Sequence, residues 1–260
     1  MMGTMARRLL LVRLEAAKMR RLHTIPVVVV AVVAVVALSC MNLFRPEAPV
    51  VGADPDAWPW ASLLLNAAMM NALVHPVLVA VIASRQTDIE NTGAGWTLNS
   101  TTGVGPGALC RAKTTLLVAV LALAVAAEIA ATIGLARVRG YTVPLEWGQW
   151  IQYAVLLWLV DGVFVGAHVW LAAKWDNQLI CVGVGLLGAF TAMYMFLAPS
   201  TIARMVPWGY YAVITNTRLV GRQAGGVRYG SVDLPWVVGF LLLALAALAW
   251  ATHRMDRVER

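Results

Sequence analysis

The sequence predicts an all-α membrane protein: six transmembrane helices, an amphipathic interfacial helix ahead of the first, and both termini in the cytoplasm. Three observations predict it. Hydrophobic residues make up 60% of the 260 positions and charged residues 13%, against about a quarter charged in a soluble domain. The mean hydropathy is +0.74. The apolar residues also gather into six runs, each near the roughly 20 residues that a helix needs to cross hydrocarbon.

The elements follow in order. In residues 4–22, Leu9, Leu10, Val12, Leu14, Ala17 and Met19 alternate with Arg7, Arg8, Arg13, Lys18, Arg20 and Arg21. A helix there has an apolar and a basic side, which suits the headgroup layer. The same residues also serve as a positive flank that orients the first span, and both readings stand. With this segment ahead of it, the first apolar run reads as a retained span and not as a cleavable signal peptide.

The spans are predicted at about 24–44, 59–84, 114–136, 149–173, 178–197 and 235–252. The second is long enough to tilt, or to open on an interfacial turn at Trp58, Pro59 and Trp60. Gly183, Gly185 and Gly188 in the fifth span favour close helix approach. Two connections exceed what a turn needs: an inner loop at 85–113 and an outer loop at 198–234. Within the latter, Ile202 to Val220 is aromatic but interrupted by Pro207 and Gly209. It is predicted as an interfacial or re-entrant helix, with Trp208, Tyr210 and Tyr211 in the headgroup belt. No internal repeat is visible, and 1–260 reads as one transmembrane domain.

Charge sets the orientation. With both ends inside, thirteen Lys and Arg lie on the cytoplasmic side. Seven lie outside: Arg45, Arg137, Arg139, Arg204, Arg218, Arg222 and Arg228. The N-terminal cluster decides the assignment under the positive-inside rule. The formal net charge of +7 is therefore read as topology and anionic headgroups. Nucleic-acid binding is set aside, because no basic patch interleaves with aromatics.

Several chemistries lack their residues. Cys40, Cys110 and Cys181 form no CxxC pair and no Cys/His cluster, so neither a disulfide framework nor a metal site is predicted. No Gly-Lys pair exists, so a phosphate-binding Walker A loop is absent. Neither HExxH nor GxSxG occurs. The chain is read as non-enzymatic, with no catalytic residue. Energy for any transport must come from a partner chain or an ion gradient.

Polar residues inside the spans are the candidate pathway groups. Glu128 lies mid-way along the third span and Asp161 mid-way along the fourth. A charge at that depth costs at least about 2.5–3.5 kcal/mol, so each faces protein or water or is protonated. Two carboxylates suit a cationic substrate or a proton relay; hydrogen-bonded carboxyls between helices are the structural alternative. Asn71 and His75 share a helix face in the second span, with Asn66 nearby, and His168 lies in the fourth. Helix-packing contacts are the default for these.

At the inner loop the sequence resembles ABC-2-type transporter permeases, closest to the branch that gives lantibiotic producers immunity. In that branch a cytoplasmic helix carries an acidic residue, a small–Trp pair, a Leu and a downstream Lys. Here these are Glu90, Gly95 and Trp96, Leu98, and Lys113. The Glu-x-x-Lys with following basic residues is Glu15, Lys18, Arg20 and Arg21. The Pro-aromatic segment before the last span is Pro207, Trp208, Gly209 and Tyr210. Where the family usually has a proline after the Trp, this chain has Gly103, with Pro106 three positions later.

The resemblance implies a bacterial cytoplasmic-membrane permease that pairs with a second permease copy or a homologue. Its ATP and Mg would sit on a separate ATPase. Residues 85–100 would form a coupling helix. Trp96 and Leu98 would anchor it in a cleft of the ATPase, and Arg85, Asp88 and Glu90 would orient the contact. The substrate class implied is a lantibiotic-like peptide, a drug or a lipid-like amphiphile, expelled from membrane or cell. Two other readings remain at the sequence level. One is a proton-coupled secondary transporter using Glu128 and Asp161; the other is a non-transporting scaffold.

Overall fold

The computed structural model describes residues 2–93, 95–220 and 226–257, with side chains from Leu10 onward. The side chains of Arg7, Arg8 and Leu9, and all of Arg222 and Arg260, fall outside the described residues. Eleven helices follow one another among those residues, and five are long and apolar enough to cross a membrane. A sixth span results if the bent N-terminal pair counts as one.

That pair is α1 (Met2–Arg21) and α2 (Thr24–Ser39). His23 between them takes a left-handed backbone (φ 51°), and the chain turns there by 72°. The turn separates the basic segment from the Val-rich run that follows. α2 ends before the predicted 44, in a 3-10 turn at Met41–Phe44. Then come α3 (Ala48–Ala53) and a second such turn at Pro55–Ala57.

α4 (Pro59–Thr92) is a continuous helix of 34 residues. At 1.5 Å per residue it is about 50 Å long, well beyond a hydrocarbon core of about 30 Å. Arg85, Asp88 and Glu90 therefore stand on α4 itself, not in a loop as the sequence predicts. No backbone signal stops the helix at residue 84, because that segment holds neither Gly nor Pro until Gly93. α5 (Gly95–Thr101) is a short cross-piece, and α6 (Pro106–Val138) returns antiparallel to α4. α7 (Trp147–Lys174) and α8 (Gln178–Met195) complete the centre, and α11 (Leu234–Arg257) closes the chain.

α4 is central, packed on α2, α7 and α8. Its most apolar stretch is 67% buried, whereas that of α11 is 6% buried and leans on α6 and α7. Two of the three fifth-span glycines work as predicted. A Cβ on Gly185 would lie 2.8 Å from Pro76 O, and one on Gly188 would strike the Trp208 ring. Gly183 meets nothing within 4 Å, so the packing reading fails there.

Between α8 and α11 the outer segment departs from one interfacial helix. It forms α9 (Ser200–Met205), a 3-10 turn at Pro207–Gly209 and α10 (Tyr210–Val213), followed by a two-stranded hairpin. β1 (Thr217–Val220) pairs antiparallel with β2 (Gly226–Tyr229). Pro207 and Gly209 break the helix, as their backbone chemistry requires. Tyr210 and Tyr211 are 4% and 1% exposed, so they belong to the core and not to the headgroup belt. The chain tucks inward because Tyr211 has a buried polar partner, described below.

α5, the α7–α8 turn, α1 and the C-terminal end of α11 share one end of the bundle. Asp256 of α11 pairs with Arg111 near the start of α6 at 3.0 Å, and Asn91 donates to Ala172 O at 3.2 Å. This is the proximal end; the outer segment and hairpin form the distal end.

Candidate functional site

Two buried ionic clusters and one short, partly exposed helix are the candidate groups. The first cluster lies at the proximal end. Glu15 and Lys18 are three residues apart on α1 and so face the same way. Lys18 Nζ lies 2.6 Å from both Glu15 Oε1 and Glu90 Oε1. Lys113 Nζ lies 2.6 Å from both Glu15 Oε2 and Glu90 Oε2, the latter off hydrogen-bond angle. The four groups close a ring of alternating sign across α1, α4 and α6. Gln86 donates to Glu15 Oε2 at 3.0 Å, and Lys113 also donates to Gln86 O at 2.7 Å.

Three ring side chains are 2% exposed or less, and Lys18 is 29% exposed. Two positive and two negative charges cancel, and that cancellation is what allows burial at all. Burial alone would raise the Glu15 carboxyl, but Lys113, Lys18 and Gln86 outweigh it and hold it below the ordinary 4.5. Burial would likewise lower Lys18, but Glu15 and Glu90 hold it above the ordinary 10.5.

The second cluster lies within the spans. His75 on α4 stands between two carboxylates. Its Nδ1 is 2.6 Å from Asp161 Oδ2 on α7, and its Nε2 is 3.2 Å from both Glu128 oxygens on α6. Tyr211 of α10 donates to Asp161 Oδ1 at 2.7 Å. Asn71, one turn before His75, donates to Tyr153 OH at 3.1 Å. Both imidazole nitrogens face carboxylate oxygens. An imidazolium donates to both; a neutral ring donates to one and needs a protonated carboxyl on the other side. Either way the cluster holds a proton where lipid would exclude a bare charge.

The short helix is α5. Trp96 is half-buried, and its indole donates to Asn91 Oδ1 at 2.6 Å. Leu98 is 68% exposed and points away from the bundle. Asn99 and Ser100 donate to Gly95 O and Trp96 O, one turn back, and so hold the short helix. Gly95 is needed because a Cβ there would sit 2.8 Å from Glu90 Cα.

A family model described as ABC-2 family transporter protein matches residues 11–197. The chain belongs to that family. No characterised protein and no solved structure matches it. The family identifies a membrane permease of an ABC transporter, a multi-pass integral protein of the bacterial cytoplasmic membrane.

In this ABC-2 permease the matched region contains the proximal ring, α5 and all of the second cluster except Tyr211. Among the sequence-predicted residues, Asn71, His75, Glu128 and Asp161 converge. His168 does not join them: its Nδ1 lies 2.9 Å from Phe164 O on its own helix. Glu15, Lys18 and Glu90 also converge, but in the buried ring. Glu90 is therefore not on an outward face, and Glu15 and Lys18 are not headgroup groups. Arg20 and Arg21 are exposed. Arg85 donates to Leu22 O at 2.8 Å, beside the α1–α2 bend, and Asp88 is half-buried. Gly103 has φ 78°, a backbone closed to proline, so Pro106 opens α6 in its stead.

Sequence reasoning missed Gln86, Tyr153 and Tyr211 as cluster members. Tyr211 carried a signal: it stands beside Pro207 and Gly209, whose breaks let the chain dip inward. Gln86 and Tyr153 carried none, since their partners lie 71 and 82 residues away.

Proposed function

We infer that this permease is the membrane subunit of an exporter driven by a separate ATPase, and that α5 is the element the ATPase grips. The observation that carries this is Leu98, exposed at the middle of a seven-residue helix bridging α4 and α6. An exposed apolar side chain on a braced cross-piece is how a small interface obtains its anchor. Trp96 fixes the tilt of α5 from inside, through Asn91 to α7. The proximal end is then the cytoplasmic one, in keeping with the basic N-terminal segment.

Closure of two ATPases on ATP moves α5, and α5 moves α4 and α6 together. The ring carries α1 with them, and the His75 cluster carries α7 and, through Tyr211, α10. The roles are thus divided: Leu98 touches the motor, Trp96 braces α5 from inside, and Glu15, Lys18, Glu90 and Lys113 position helices. The substrate is a peptide antibiotic, a drug or a lipid-like amphiphile, and a second permease copy completes the path.

The test is co-isolation of the tagged chain from its native membrane in mild detergent. A stoichiometric ATPase is expected with the natural chain, and its loss with Leu98→Asp. Retention by Leu98→Asp, with normal ATP-dependent transport, would reject the coupling role. The His75 cluster favours a second reading, proton-coupled transport without ATP. Uptake or efflux driven by a pH gradient in vesicles lacking ATP would support it. Transport abolished by inactivating the co-isolated ATPase would exclude it.

A further inference from the structure

The distal end holds a cavity of about 570 Å³ that neither ionic cluster uses. That size is in the range of small-molecule sites. Leu65 and Met69 of α4 line it, together with Phe196 and Val213. Its polar wall is basic. Arg204 and Arg218 line it with a single acid, Asp233, which Arg204 holds at 2.6 Å. Arg218 donates to Ser231 O at 3.2 Å and has no carboxylate partner among the described residues.

One further observation points to an anionic occupant. Arg218 and Arg228 stand directly opposite each other in the hairpin register. Like charges so placed repel, and an anion between or beside them relieves that. Arg228 is meanwhile held over the Trp58 ring at 5.3 Å.

We propose that this distal cavity binds an amphipathic anion, with the apolar part against Leu65, Met69 and Phe196 and the acidic group at Arg218 and Arg204. The site names a substrate class for the permease, and in that respect it rests on the reading above. It also has a route to the centre. Ala212 and Val213 line the cavity and adjoin Tyr211, which holds Asp161. An occupant that shifts α10 therefore acts on the His75 cluster.

The experiment uses the full chain in phosphatidylcholine nanodiscs and a diazirine-bearing monododecyl phosphate, with the matching dodecyl glucoside as neutral probe. Cross-links are mapped by peptide mass spectrometry. Saturable phosphate-probe labelling is expected within residues 195–219 and 231–233, at least tenfold above the glucoside. Arg218→Gln should reduce it about tenfold, and Ala212→Trp should fill the cavity and do the same. Arg111→Gln, at the other end, should leave it unchanged.

Equal labelling by both probes, or labelling indifferent to Arg218→Gln and Ala212→Trp, would overturn the proposal. Lipid extraction separates the sources of the same chemistry. An anionic phospholipid recovered with the natural chain in detergent before reconstitution, and lost with Arg218→Gln, assigns the site to membrane lipid. No recovered lipid, with the probe still labelling, assigns it to the exported amphiphile. No ATPase takes part, so failure here leaves the motor-coupling reading standing, and failure of the co-isolation leaves the cavity.

Discussion

Replacing His75 by leucine would leave Glu128 and Asp161 facing each other across an apolar gap. Removing one partner from a buried ionic cluster costs about 3–5 kcal/mol, because the remaining charge is stranded. His75→Leu should therefore lower the thermal midpoint in detergent sharply. Adding Glu128→Gln and Asp161→Asn should recover most of the loss, since nothing charged then remains. An unchanged midpoint in the single variant would mean that the three groups do not form one unit.

The proximal ring makes a second residue-scale case. Glu15 and Lys113 touch each other and also share Gln86, so their substitutions cannot be independent. Glu15→Gln combined with Lys113→Met should fall short of the summed single effects by about 0.5–3 kcal/mol, the range for residues in one network. Additive losses would rule out the ring. The pH dependence has two sides. Glu15 is held below 4.5, so its contribution is present above 4.5 and is lost as pH falls through the lower folded value. Lys18 is held above 10.5, so its contribution is full below 10.5 and is lost as pH rises through the higher folded value. Midpoints measured across pH should show a plateau between these limits, with the acid edge abolished by Glu15→Gln.

At the scale of the element, close packing of α8 on α4 depends on the missing side chain of Gly185. Leucine there must displace α8 from Pro76, and overpacking of this kind costs about 1–3 kcal/mol. Gly183→Leu, five residues after the helix begins and facing open space, should be neutral within error. Folded yield and thermal midpoint of the two variants distinguish them, and equal effects would contradict the packing. The sequence carried the elements unevenly. Long apolar runs located α4, α6, α7, α8 and α11, since lipid demands continuous helices. It could not show that α4 continues to Thr92, because Arg85, Asp88 and Glu90 look like a polar loop until their partners are known. Arg85 ends at Leu22 O and Glu90 at Lys18 and Lys113, contacts that exist only once three helices assemble. The Tyr210–Tyr211 pair had two compatible homes, interface or core. Asp161, fifty residues away, decided for the core.

At the scale of the whole molecule, the position of the cavities bears on how a substrate passes. The centre of the bundle is occupied by packed apolar side chains and the His75 cluster. The distal cavity stays among α4, α8, α9, α10 and β1. A second cavity of about 500 Å³ lies on the flank between α6, α7 and α11, with Trp158, Gly166 and Leu248 in its wall. Neither runs from end to end. A path through one such bundle would require separating Glu128, His75 and Asp161, which leaves buried charges without their partners. A path between two bundles leaves the cluster intact as a rigid unit. Exposed apolar residues such as Val30, Val33, Leu242 and Leu243 on α2 and α11 supply surface for lipid or a second copy. Active complexes should accordingly contain two permease chains. Co-expression of two differently tagged copies, with one tag used for isolation and the other for detection, measures this directly. Recovery of both tags in the fraction that retains ATP-driven transport is expected. Full transport by complexes carrying only one copy would place the path inside the single bundle, and the His75 cluster would then have to open in each cycle.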